Sequence, residues 1–132
     1  MVEGLNGIET ITCFVEDLPS TRRFYEQVFG LKAIFEDSVS AVFRFGSLMI
    51  NLLQAAEAPE LVTPVRIGAV SDGPRQLFTI RVGNTDAICA ELARHGVALL
   101  NGPIDRPWGR RTAAFRDPAG CVWEVAQVLS PP

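Results

Sequence analysis

One order of elements occurs twice along this chain, and it narrows the available folds more than any other feature. Ile8 to Val15, IETITCFV, is rich in β-branched residues and breaks off at Glu16-Asp17-Leu18-Pro19-Ser20, the pattern of a strand running into a helix start. Asp17 or Ser20 is placed to cap the helix amides, and Pro19 suits a first turn. The stretch TRRFYEQVF sets Phe24, Tyr25, Val28 and Phe29 on one side before Gly30 ends the helix. Three apolar segments of strand length follow: Leu31 to Glu36, Ala41 to Phe45 and Leu48 to Leu53, the last two joined by a tight Gly46-Ser47 turn. From Gln76 the order recurs. QLFTIRV reads as a strand; Asn84 or Thr85 caps a helix with Ile88, Cys89 and Leu92 inward, and Gly96 stops it. Strands are then expected at Val97 to Leu100, Arg111 to Arg116 and Cys121 to Val128, with Asp117-Pro118-Ala119-Gly120 turning between the last two.

A duplicated order of this kind marks a repeat. The expected fold is α+β, a single domain over 1–132 with two βαβββ modules, 8–53 and 75–128, joined by a connector at 54–74 that shows no period of its own. Each module carries its helix on one sheet face, so the opposite faces must meet each other, a partner or a ligand. Two curved mixed sheets placed that way enclose a cleft.

Composition bounds the partners. Hydrophobic residues make up 48% of the 132 and charged ones 20%, as in an ordinary globular domain. A net charge of −3 removes the attraction on which nonspecific nucleic-acid binding depends. No apolar run approaches a membrane span, and the opening MVEGLNGIET has neither a basic nor an apolar leader pattern, so a cytoplasmic protein without membrane or nucleic-acid partners is expected. The three cysteines, Cys13, Cys89 and Cys121, lack CxxC spacing and read as small hydrophobes. The single histidine, His95, sits at a helix end, where a capping or exposed role is expected.

Strand alternation nominates the residues of the cleft. If Phe45 pairs with Leu48, then Phe43, Phe45, Leu48, Ile50 and Leu52 share one face, while Arg44, Met49, Asn51 and Leu53 share the other. The greasier face should lie under the helix, and Phe35 becomes a candidate for a cleft wall. Pairing outward from Asp117-Pro118-Ala119-Gly120 sets Phe115 against Val122 and Ala113 against Glu124, which brings Arg111 onto the face of Glu124. That pair reads either as a structural ion pair or as a polar clamp for a ligand. Trp123 alternates away from Glu124 and is expected in the core. The loop Arg106-Pro107-Trp108-Gly109-Arg110-Arg111 places Trp108 where it either stacks on a planar ligand or cation, or packs over the sheet edge against its own arginine.

FVEDLPSTRRFYEQVFGL, RVGNTDAICAELARHGV and FRDPAGCVWEV, in that order, resemble the vicinal oxygen chelate superfamily, the group of glyoxalases, bleomycin-resistance proteins and extradiol dioxygenases. The resemblance covers nearly the whole chain and implies the paired-module fold. Metal-dependent members carry ligands at four strand positions, which fall here at Thr10 or Glu9, at Asn51 or Leu53, at Leu77 or Gln76, and at Glu124. Glu124 is the only one that keeps a ligand-type residue, although Glu9, Glu124 and Asn51 could form a weak oxygen site. No cofactor is therefore expected. A Pro-Trp-Gly stretch before the last strands is shared with the bleomycin-resistance branch, where the tryptophan helps line the drug groove; this chain differs in retaining Glu124.

The expected function is that of a metal-free small-molecule-binding protein, a homodimer that sequesters an aromatic or hydrophobic antibiotic-like compound. Its ligand-binding residues would be Trp108, Arg111, Glu124, Asn51, Arg44, Phe35, Met49 and Thr10. The alternative is a lyase, isomerase or dioxygenase of the same superfamily with an atypical or absent metal site, working through Arg111 with Glu124 as base.

Overall fold

The computed structural model describes residues 2–129. Within them, strands β1 (Thr10–Val15), β2 (Phe35–Glu36), β3 (Ser40–Phe45) and β4 (Leu48–Gln54) accompany helices α1 (Leu18–Val28) and α2 (Ala58–Val62). Strands β5 (Leu77–Arg81), β6 (Asn101–Arg106), β7 (Arg110–Arg116) and β8 (Val122–Val128) follow, with helix α3 (Thr85–Arg94) after β5. The chain divides into two compact units, Met1–Gly68 and Ala69–Pro132. The first holds a sheet of order β1-β4-β3-β2 and the second a sheet of order β5-β8-β7-β6. In each, the module's first strand runs parallel to its last, and the remaining pairs are antiparallel. The α+β architecture with a repeated strand, helix and three further strands is thus observed.

Both long helices begin as their sequences dictate. The Asp17 carboxylate accepts the Ser20 amide at 3.1 Å, and the Asn84 side chain accepts the Ala87 amide at 3.0 Å, each satisfying a donor that a helix N-terminus leaves open. In the first unit α1 lays Tyr25, which is fully buried, against Phe43 and Phe45, with ring centroids 5.4 and 6.0 Å apart. Cys13, Val15, Ala41, Phe43, Ile50 and Leu52 complete that core, and each large side chain so buried contributes roughly 1.5–3 kcal/mol. In the second unit Trp123 is buried, as its alternation away from Glu124 requires, and its ring lies tilted against Phe78 with centroids 4.9 Å apart. The cysteines are free thiols; burial, and then the Asp86 carboxylate, push the Cys89 thiol up, which keeps it protonated. No helix among the described residues is long and apolar enough to cross a membrane.

Three boundaries differ from expectation. The strand expected at Val97 to Leu100 lies instead at Asn101–Arg106 and carries Gly102 and Pro103 inside it, at a break in register between Asn101 and Ile104. It is tolerated because β6 is an edge strand, where a proline costs no ladder bond. The first-module segment read from Leu31 shortens to Phe35–Glu36. The connector, read as structureless, contains α2, for which Pro59 and Glu60 supply first-turn signals.

The link into β3 carries a pH dependence. Asp37 Oδ1 accepts the Val39 and Ser40 amides at 2.9 and 2.8 Å and the Ser40 hydroxyl at 2.9 Å. The Val39 amide, followed by the Ser40 hydroxyl, holds the Asp37 carboxyl below its ordinary value of 3.8. A lowered folded-state value means stability that is present above the ordinary value and lost as pH falls through the folded one. Denaturant midpoints measured from about pH 6 down to about pH 2 should therefore fall less steeply for Asp37→Asn than for the native chain.

Candidate functional site

The sheet face turned away from α1 is assembled by register. Its rows run Thr10, Met49 and Arg44; then Thr12, Asn51, Val42 and Phe35; then Phe14, Leu53 and Ser40. The two-residue Gly46-Ser47 turn fixes this by pairing Phe45 with Leu48, so the predicted Thr10, Asn51, Arg44, Met49 and Phe35 all fall on one face. Phe35 is 56% exposed at the edge of the second row, an unusual position for a phenylalanine. At the centre of that row the Asn51 Oδ1 atom is shut off from solvent and has no hydrogen-bond partner among the described residues. Sequence reading missed Thr12, which alternation from Thr10 could have supplied.

The helix-free face of the second unit has matching rows: Leu77, Val122 and Arg116; Thr79, Glu124, Ala114 and Asn101; Arg81, Ala126, Thr112 and Ile104; then Val128, Arg110 and Arg106. Glu124 accepts the Thr79 hydroxyl at 3.0 Å. The buried Thr112 hydroxyl accepts Arg106 Nε at 2.9 Å, and Asn101 Oδ1 accepts Arg106 Nη2 at 3.2 Å. Trp108 sits at the tip of the three-residue link Pro107-Trp108-Gly109, 62% exposed, with the Arg106 guanidinium 5.9 Å from its ring centroid. The cation against its ring is thus its own neighbour. Asn101, Arg106 and Arg110 escaped the sequence reading because it set β6 too early and took 106–111 as loop, and Thr112 because the expected register turned it to the other face; alternation from Leu77 could have supplied Thr79.

Arg111 does not join Glu124. The observed pairs are Arg116 with Val122, Ala114 with Glu124 and Arg111 with Gln127, one residue away from the expected register. Asp117 causes the slip by tightening the turn: its amide donates to the Cys121 carbonyl at 2.9 Å, and its carboxylate takes the Ala119 and Cys121 amides at 3.0 Å. Because strand side chains alternate with period two, a single step moves Arg111 to the helix side. There Asp105 Oδ1 at 2.8 Å and Asp86 Oδ1 at 3.0 Å receive its guanidinium, and both raise its already high pKa, Asp105 foremost. Its backbone carbonyl accepts the Thr85 hydroxyl at 2.7 Å, which fastens the start of α3 to β7. Arg111 is a structural residue here, and neither the Arg111–Glu124 ion pair nor the clamp is formed.

The ligand-type positions do not suit a divalent transition metal. Thr10 supplies a hydroxyl that leans on Glu9 at 3.4 Å, Asn51 a neutral carboxamide, Leu77 a hydrocarbon and Glu124 the one carboxylate. The Gln76 amide is spent on both backbone groups of Val122. Among the described residues no group of three or more His, Cys, Asp or Glu side chains is placed to hold an ion, whereas such a site needs about three borderline or hard donors.

Two βαβββ units, each with one sheet face free of helix and carrying small polar and aromatic side chains, define a repeated-module α+β fold. The chain belongs to the Glyoxalase/Bleomycin resistance protein/Dioxygenase superfamily, whose family model matches residues 7–125. It is 27% identical over 129 residues to virulence protein STM3117 of Salmonella typhimurium, covering 95% of this chain and 86% of that one. In structure it resembles a glyoxalase/bleomycin resistance protein/dioxygenase from Nocardioides, with a TM-score of 0.87 at 19% identity over 99% of this chain and 89% of the other. It also resembles a lactoylglutathione lyase from Agrobacterium tumefaciens, with a TM-score of 0.75 at 22% identity over 95% and 96%. Likenesses at that identity establish the fold.

Proposed function

We propose that this protein binds a planar aromatic or hydrophobic small molecule, in the manner of an antibiotic-sequestering member of the superfamily, on its helix-free sheet faces and without a metal ion. The observation that carries the reading is the Asn51 carbonyl, closed to water and unpartnered in a row that ends at the exposed ring of Phe35. A buried acceptor left unmade costs about 1–3 kcal/mol, and binding sites are where such groups serve to orient a ligand donor. The donor set at Thr10, Leu77 and Glu124 supports the same reading. Catalysis through an Arg111–Glu124 pair has no support, since the two lie on opposite faces of the sheet.

The test is Asn51→Leu, which removes the unpartnered oxygen at similar volume. The variant should be more stable than the native chain by roughly 1 kcal/mol in denaturant titrations while binding planar natural products about tenfold more weakly by calorimetry. Unchanged affinity, or stoichiometric Zn, Ni, Mn or Fe in protein purified without chelator, would refute it.

A further inference from the structure

The two faces of the second sheet divide its charges unevenly. Asp86 and Asp105 both serve Arg111 on the helix side. On the other side Arg106 and Arg110 stand directly opposite each other across β6 and β7, a like-charge pair that strands ordinarily avoid. Among the described residues no carboxylate forms an ion pair with either. Glu124, the acid of that face, is four residues from Val128, the partner of Arg110, which separates the backbone positions by about 13 Å, beyond a Debye length at physiological salt.

Arg106 is also fixed in place. Two of its five N–H donors go to neutral acceptors, Thr112 and Asn101, so its position is held without its charge being spent. Its guanidinium lies beside the exposed Trp108 ring. At the neighbouring strand ends Arg81, Val82, Gly83, Gln127 and Val128 line an open hollow of about 380 Å³, and Val128 is the cross-strand partner of Arg110.

We infer that the ligand is an oxyanion: a planar molecule whose carboxylate or phosphate is received by Arg106 and Arg110 while its ring lies against Trp108. Guanidinium forks match both head groups, and an anion relieves the repulsion between the paired arginines. The inference rests on the small-molecule-binding reading above and adds the sign of the ligand's charge.

Calorimetry with naphthoate, naphthyl phosphate, naphthylmethanol and naphthylmethylammonium tests it, since the four share one ring and differ in head group. At least one of the two anions should bind about tenfold or more tightly than the alcohol, with an affinity that falls as salt is raised. Arg110→Gln, which removes a charge without disturbing the Arg106 hydrogen bonds, should abolish that preference, and Arg106→Gln should abolish it as well. If the alcohol or the ammonium binds as well as both anions, or if the preference survives both substitutions, the charge assignment fails while the binding reading stands. If no probe of any charge binds, both fail together.

Discussion

Gly102→Ala should destabilise the protein by about 3–5 kcal/mol, the range in which a single substitution points to a specific steric cause. Gly102 sits in β6 at φ +90°, a region that side-chain-bearing residues rarely enter. An added methyl would also collide with the Thr112 carbonyl oxygen and come within 2.7 Å of the Ala113 Cα. Both obstacles are backbone of β7, so relief requires moving a strand rather than turning a side chain. The displaced strand carries Thr112, and with it the anchor of Arg106. Denaturant unfolding of the variant should show a much lower midpoint. Gly96→Ala, at φ +74° but with open space around the added methyl, is the control and should cost about 1 kcal/mol. Equal losses at the two glycines would mean that backbone conformation alone, not the approach of β7, sets the cost.

Asp117→Ala should follow at about 2–4 kcal/mol, or roughly 10 °C in Tm for a chain of this length. The side chain is buried, and its carboxylate receives the Ala119 and Cys121 amides and faces the Trp123 indole N–H at 3.5 Å. Alanine leaves those donors in a place water reaches poorly. Asp117→Asn retains one acceptor oxygen but sets an amide N–H₂ among N–H donors, so it should fall between the native chain and alanine. Thermal scans of the three proteins give the order, and an asparagine variant as stable as the native chain would show that charge-assisted acceptance contributes nothing there.

Asp117 also explains which parts of the site could be read in advance. On the first sheet, Phe45 and Leu48 flank a two-residue turn that permits one pairing, so the joint placement of Thr10, Met49, Arg44, Asn51 and Phe35 follows from local chemistry. On the second, the turn residues Asp117-Pro118-Ala119-Gly120 were visible, but the number of residues they consume was not. That count depends on hydrogen bonds that one side chain accepts from amides two and four residues on, and its parity decides which face every β7 residue occupies. Arg111 was accordingly assigned to the helix-free face, from which it points away. Arg106, which lies on that face, was passed over because a glycine and a proline disguised the edge strand that carries it.

By itself the sequence determined the repeated order of strand, capped helix and three strands, and the burial of Trp123. Each is settled by caps or by alternation within a few neighbouring residues. The tertiary structure alone decided the register of β7 on β8, the strand through Gly102 and Pro103, the seclusion of the Asn51 oxygen and the pairing of Arg106 with Arg110. These depend on how many residues a turn consumes or on contacts between strands apart in the chain, where a shift of one position costs little locally and reverses which side chains meet.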